Sequence, residues 1–326
     1  MRISRRLIFL TILSSLPGAV PLKAAEDPLP GRKHVPAMQA VPLPGNQVSF
    51  RHQERELTRL YWHPEQRRPF FYPLIDPSGR SVTRLGDARD PVGHSHHNSL
   101  WMAHQDVDGV NFWEDPVRKG NGFQRALRIE SWQESDAAAG CVLRVEWVAD
   151  EGLRVLLQER RTVQVMAPEA NGAWLMVIDS EFTAPGPAPV TFRQCYFGLL
   201  GVRVVTSASV NPGGGRLLNS SGGRNEAGTF RLPARWVNAT GALTNTISGG
   251  VALFDHPDNP GHPNPAHTRD GGWAGLALSG HEGRTVAPGQ PLRCRYGVWT
   301  HGGVPDQANV EAAWQRFAAV PPVTVK

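Results

Sequence analysis

Cysteine is scarce in this chain: Cys141, Cys195 and Cys294 are the whole complement among 326 residues. No CxxC pair occurs among them, so the usual paired-thiolate zinc site is excluded. Three thiols allow one disulfide at most, and spacing does not choose its partners. Each also sits in strand-like surroundings, so the other reading is three small buried apolar side chains. Several motifs are missing as well. There is no HExxH helix, GxSxG elbow, GxGxxG turn or P-loop. A zincin site, a nucleophile elbow and a nucleotide fold therefore find no support. No block of five or six like charges occurs, so the formal net charge of +5 makes little case for a nucleic-acid partner. One apolar run, residues 7–20, stands out, and it is shorter than the ~20 residues of a spanning helix.

That run follows Arg2, Arg5 and Arg6 and leads to Lys23-Ala24-Ala25. A basic start, an apolar middle and small residues before a cut site mark a secretory signal peptide. We expect residues 1–25 to be removed and the protein to be periplasmic or extracellular, with no membrane span afterwards. Loss of Arg2, Arg5, Arg6 and Lys23, with no acid before Glu26, brings the net charge to about +1. Residues 26–45 carry Pro28, Pro30, Pro36, Pro42 and Pro44 and read as an extended linker or arm.

From residue 46 onward, short runs rich in β-branched and aromatic residues alternate with turns. With 34 glycines and 28 prolines as punctuation, this is a strand pattern. CVLRVEWV from Cys141 and WLMVIDSEF from Trp174 are clear examples. Helices are few. The best lies at residues 306–317, where Val310, Trp314 and Phe317 share one face. The Gly/Ser/Asn-rich residues 211–228 read as a long flexible surface loop. The expectation is a single all-β domain over residues 46–326, a large antiparallel β-sandwich with a C-terminal helix.

Chemistry concentrates in two places. Residues 94–115, HSHHNSLWMAHQDVDGVNFWED, bring together His94, His96, His97 and His104 with Asp106, Asp108, Trp101 and Trp113. Residues 255–270 carry His256, His262 and His267 on a proline-stiffened loop ending at Arg269. Imidazoles titrate near neutrality, indoles offer flat faces, and guanidinium groups grip carboxylates and hydroxyls. Folding is expected to join the two stretches in one pocket for a small-molecule or oligosaccharide ligand. His96, His97 and His267 would transfer protons, with Asp106 and Asp108 orienting them. Trp101, Trp113, His104, His256, Arg269, Tyr296 and His301 would bind substrate. No metal ligand set is assigned and no cofactor is implied. The Asp106-Val107-Asp108-Gly109 segment starts like a calcium loop, but the twelfth position is Val117 where a glutamate is required.

Several segments together resemble the PmoA-like family of exported bacterial proteins: RPFFYPLIDPSGRSVTR, the residues 94–115 above, ARWVNATG, GGVALFDHPDNPGHPNPAHTRD and RCRYGVWTHGG. The resemblance spans residues 65–317. It implies a galactose-mutarotase-like sandwich and a neighbourhood of sugar degradation; it implies no catalytic residues. The family's methane-oxygenase label does not suit a chain without a spanning helix. Asn98 stands where the family's His-His-Arg pattern has arginine. The resulting expectation is a carbohydrate-active protein working by His/Asp acid–base chemistry, as epimerase, lyase or hydrolase. A non-catalytic carbohydrate-binding protein is the second reading and a metal-dependent oxidase the third.

Overall fold

The computed structural model describes residues 31, 34–115 and 120–322. The signal segment expected at residues 1–25 lies outside them. The first part of the chain forms β1 (Met38–Leu43), β2 (Gln47–His52), β3 (Arg55–Tyr61), β4 (Phe70–Leu74) and β5 (Leu100–Met102). Long strands follow: β6 (Phe123–Glu134), β7 (Ala138–Ala149), β8 (Arg154–Met166) and β9 (Trp174–Thr183). Next come β10 (Val190–Phe192), β11 (Leu200–Arg203), β12 (Arg216–Asn219), α1 (Asn225–Thr229), β13 (Trp236–Ala242) and β14 (Ser248–Asp255). The chain closes with β15 (Ala266–Arg269), β16 (Trp273–Leu276), β17 (Arg284–Val286), β18 (Leu292–Gly302) and α2 (Gln307–Ala318).

Two eight-stranded sheets result. The first runs β1-β2-β3-β4-β5-β11-β16-β15, the second β12-β13-β14-β18-β9-β8-β7-β6, and β10 and β17 form a small ribbon. Every pairing among these strands is antiparallel. The expected antiparallel sandwich is therefore present, and so is the C-terminal helix. Asp306 caps that helix: its side chain accepts the Asn309 N–H at 2.8 Å. Val310 and Phe317 are buried against Phe254 and Trp236.

The core lies between the sheets. Leu100, Met102, Leu200, Val202, Ala274 and Leu276 meet Leu143, Trp147, Ile178, Phe182 and Val298 there. Strand side chains alternate between faces, so the residues between these core positions turn to the outer face of the first sheet. They are Phe70, Trp101, Gly201, Arg203, Trp273, Gly275, His267 and Arg269. Tyr61, Tyr72, Ala103, Trp113 and Phe197 join Phe70, Trp101 and Trp273 in a separate apolar cluster. The candidate cavity is built on this outer face.

Two expectations are corrected. Met38–Leu43, within the expected arm, is a paired edge strand, with Ala40 opposite Phe50 and Met38 fully buried. The expected flexible loop at residues 211–228 contains β12 and most of α1, and its Leu217, Leu218 and Asn219 are buried. The three cysteines are free, and Cys141 and Cys294 are buried strand residues. Among the described residues no helix is long and apolar enough to cross a membrane.

Candidate functional site

Register across the first sheet lays down the floor. Phe70 pairs with Trp101, Trp101 with Gly201, Gly201 with Gly275, and Gly275 with His267. Two adjacent glycines leave a trough in this row. The Trp273 indole fills it: a Cβ on Gly201 would lie 2.0 Å from the Trp273 ring. The neighbouring row runs Arg203, Trp273, Arg269. A tryptophan floor is thus flanked by two arginines and one histidine.

The walls come from loops. Residues 94–97 turn back over the floor, with the His97 N–H donating to the His94 carbonyl and the Gly86 N–H to the His97 carbonyl. The His97 ring packs on both indoles, 5.4 Å from Trp101 and 5.6 Å from Trp273, which are themselves 5.0 Å apart. His96 sits 4.4 Å from His97 and edges onto Trp113. Arg68, just before β4, ties the histidine wall to the tryptophan wall. Its fully buried guanidinium donates to the carbonyls of His96 and Trp113 and to Asn98 Oδ1, and pairs with Asp115. Asn98 therefore serves this latch.

The half-open cavity has a volume of about 410 Å³. His96, His97, His267, Trp113 and Arg269 all line it, so the structure joins the two sequence stretches as expected. Burial lowers the His97 pKa to about 2, reinforced by His96 and Arg203, and lowers His96 to about 4, reinforced by Arg68. His267 is likewise held at about 4 by burial and by Arg269. All three rings are uncharged at neutral pH. The His267 Nδ1 lies 3.0 Å from the Tyr196 carbonyl. A carbonyl only accepts, so Nδ1 carries the proton and Nε2 keeps its lone pair. Phe197 and Phe230 brace the ring.

Other expected site residues are elsewhere. Trp101 is beneath the floor, 1% exposed, and does not offer a stacking face. Trp113 reaches the cavity but is 3% exposed and perpendicular to Trp273. His104 is a core residue: its Nδ1 accepts the Asp106 N–H, so its Nε2–H donates to Ser279 Oγ at 2.6 Å. Asp106 and Asp108 do not orient the histidines. Asp106 accepts the Gly109 N–H within its own turn, and Asp108 accepts the Thr191 N–H, tying the turn to β10. Tyr296 is fully buried between the sheets. His256 lines a separate cavity of about 260 Å³ beside Asp258 and Arg295. His301 borders another of about 450 Å³, where its Nε2 is already bonded to Asn238. That space is the larger, but it holds one histidine with its ring engaged and lacks the convergence found on the first sheet. Among the described residues, no three His, Cys, Asp or Glu side chains are grouped to hold a metal ion.

Sequence reasoning missed an arginine-rich corner. The Asp87 carboxylate accepts from Arg84 at 2.9 Å, Arg203 at 2.7 Å and Arg89 at 3.3 Å. Burial acts to raise its pKa, but these hydrogen bonds outweigh that and hold it well below the usual carboxylate range. Asp87, Arg89 and Arg203 all line the cavity. One signal was available: Arg203 alternates with core-facing Leu200 and Val202, as an outward strand position should.

The model of a family of unknown function, DUF6807, matches residues 47–315. The chain belongs to that family. Its matched region includes both histidine stretches and every cavity-lining residue named above. A comparison with curated proteins gives no match. Among solved structures, an α-galactosidase from Lactobacillus brevis is similar over 74% of this chain and 38% of that chain, with a TM-score of 0.40 and 9% identity. The chain thus spans little more than a third of that enzyme's length.

Proposed function

We propose that the 410 Å³ cavity binds a sugar or sugar derivative and moves a proton on it, with His267 Nε2 as the base. The observation that carries this reading is the His267 ring itself. Its tautomer is fixed by Tyr196, its pKa is held at about 4, and its free lone pair belongs to a ring lining the cavity. An uncharged imidazole accepts a proton without first losing one. The imidazolium formed on His267 then returns the proton it took, so the transfer balances on that ring. Trp113, Trp273 and Phe197 supply apolar contact, and Gln105 and Arg269 supply polar contact. The PmoA-like resemblance adds export to the periplasm or the medium as part of the same proposal.

A second reading, a carbohydrate-binding protein without turnover, is favoured by the state of Asp87. That lining carboxylate is committed to three arginines and is not available as an acid. His267→Gln separates the readings. The variant loses the base while keeping a polar side chain of similar reach. On a panel of glycosides and keto-sugars, loss of turnover by about 10²-fold or more with retained binding supports proton transfer at His267. Unchanged turnover removes His267 from the mechanism, and binding with no turnover by the parent protein supports the second reading.

A further inference from the structure

The arginine corner of the cavity is not accounted for by a neutral sugar. Three guanidinium groups meet one carboxylate, so the corner carries a surplus of positive charge. His96 and His97 are uncharged at neutral pH and do not change that balance. Arg203 is 5% exposed, donates to Asp87 through Nη2, and its Nε has no hydrogen-bond partner among the described residues. Arg84 Nε and His97 Nδ1 are likewise buried without a partner. Buried polar groups left unpaired are costly, and Arg203 lines the cavity, where its guanidinium is only part-satisfied by Asp87. Arg89 differs. Its side chain is 61% exposed and reaches Asp87 from the cavity rim, where it meets an entering anion first. Arg269, by contrast, is held by Glu226 at 2.6 Å and lies over the Phe230 ring, so it has less to offer an anion than Arg203.

We propose that the ligand of this cavity bears a carboxylate, as a uronic or aldonic acid does, and that Arg203 and Arg89 receive it while Trp113, Gln105 and His267 face the rest of the molecule. The proposal rests on the sugar reading above and sharpens it to an acidic sugar. A planar guanidinium matches a carboxylate with two parallel hydrogen bonds. A fixed arginine inside a partly enclosed cavity is screened by salt less than a surface one.

The test compares ligands that differ in one group. Binding of methyl glucuronide and methyl glucoside, and of the galacturonide and galactoside pair, is measured by titration calorimetry on the intact protein. The acidic member is expected to bind about tenfold or more tightly. That preference should shrink in Arg89→Gln, a rim substitution that leaves Arg203 and the fold in place. Arg203→Lys, checked for folding by circular dichroism, should weaken the acidic ligand and leave the neutral one alone. Equal affinity for both members of each pair overturns the carboxylate inference while leaving the sugar reading standing. Cyclohexanecarboxylate, a six-membered ring with the carboxylate and no hydroxyls, provides the complementary arm. If it binds as tightly as the uronides, the carboxylate inference holds and the sugar reading falls. If none of the probes binds, both are overturned.

Discussion

Arg68 is the residue on which the cavity's shape depends most. A buried guanidinium is stabilising only when its donors are used, and here they close the carbonyls of His96 and Trp113 and the Asn98 amide, with Asp115 as counter-charge. Burial lowers its pKa to about 10, so it stays charged at neutral pH. Arg68→Met keeps the stem and deletes the donors, leaving those acceptors and Asp115 without their partner. The expected cost is about 3–5 kcal/mol, read from the urea midpoint, together with altered tryptophan fluorescence from Trp113. A change below about 0.5 kcal/mol would mean the two walls hold without the latch. Asn98 shows what residue identity alone did not reveal. It stands where the resembled family's pattern has arginine, and its side-chain carbonyl oxygen takes a hydrogen bond from Arg68. The aspartates were misread for a related reason. In the Asp-x-Asp-Gly segment Asp106 caps its own turn through its side chain while Asp108 takes the Thr191 N–H of a distant strand, and those bonds engage the carboxylates expected to orient the histidines.

At the scale of elements, strands were legible because they alternate. β2, β7, β8, β9, β14 and β18 appear where apolar and β-branched residues predict them. The β12 region was not legible, because its glycines suggested mobility. They serve close approach instead: a Cβ on Gly223 would meet the Gly228 carbonyl oxygen at 1.9 Å, so the backbone folds tightly upon itself between β12 and α1. Gly201 is the same device inside a strand. It makes room for Trp273, and Trp273 in turn supports His97. Gly201→Ala therefore tests an element-level arrangement. Alanine is a tolerable strand residue, so the cost comes from displacing the indole, about 1–3 kcal/mol for an overpacked site. A smaller side chain at the floor, Trp273→Leu, should remove most of that cost, giving a coupling of about 1 kcal/mol or more in the double-mutant cycle. Additive effects would show that the strand and the indole do not compete for this space.

Across the whole molecule, the sandwich brings together stretches that lie far apart in sequence, His96 and His97 on one side and His267 on the other. It also buries histidines in both sheets. Each pays no charge cost while neutral, which gives the fold a definite response to acid. An unfolded histidine takes up its proton near pH 6.5. In the folded protein burial holds His104, His267 and His301 at about 4 and His97 at about 2. Between about 6.5 and 4 the unfolded chain binds more protons than the folded one, so stability is greatest above this window and falls as pH drops through it. Each such histidine costs about 1.4 kcal/mol per pH unit there. Asp87 and Glu226, whose pKa values are held below the ordinary range, destabilise the fold in the same direction only once the pH falls below about 4.5. Scanning calorimetry between pH 7 and pH 5 therefore isolates the histidines: four such rings titrating from about 6.5 to 5 remove about 8 kcal/mol, and at roughly 2–4 °C per kcal/mol the melting temperature should fall by about 15 °C or more. A melting temperature that stays level to pH 5 and drops only below pH 4 would show that these rings accept protons inside the fold, and that carboxylates alone set its acid limit.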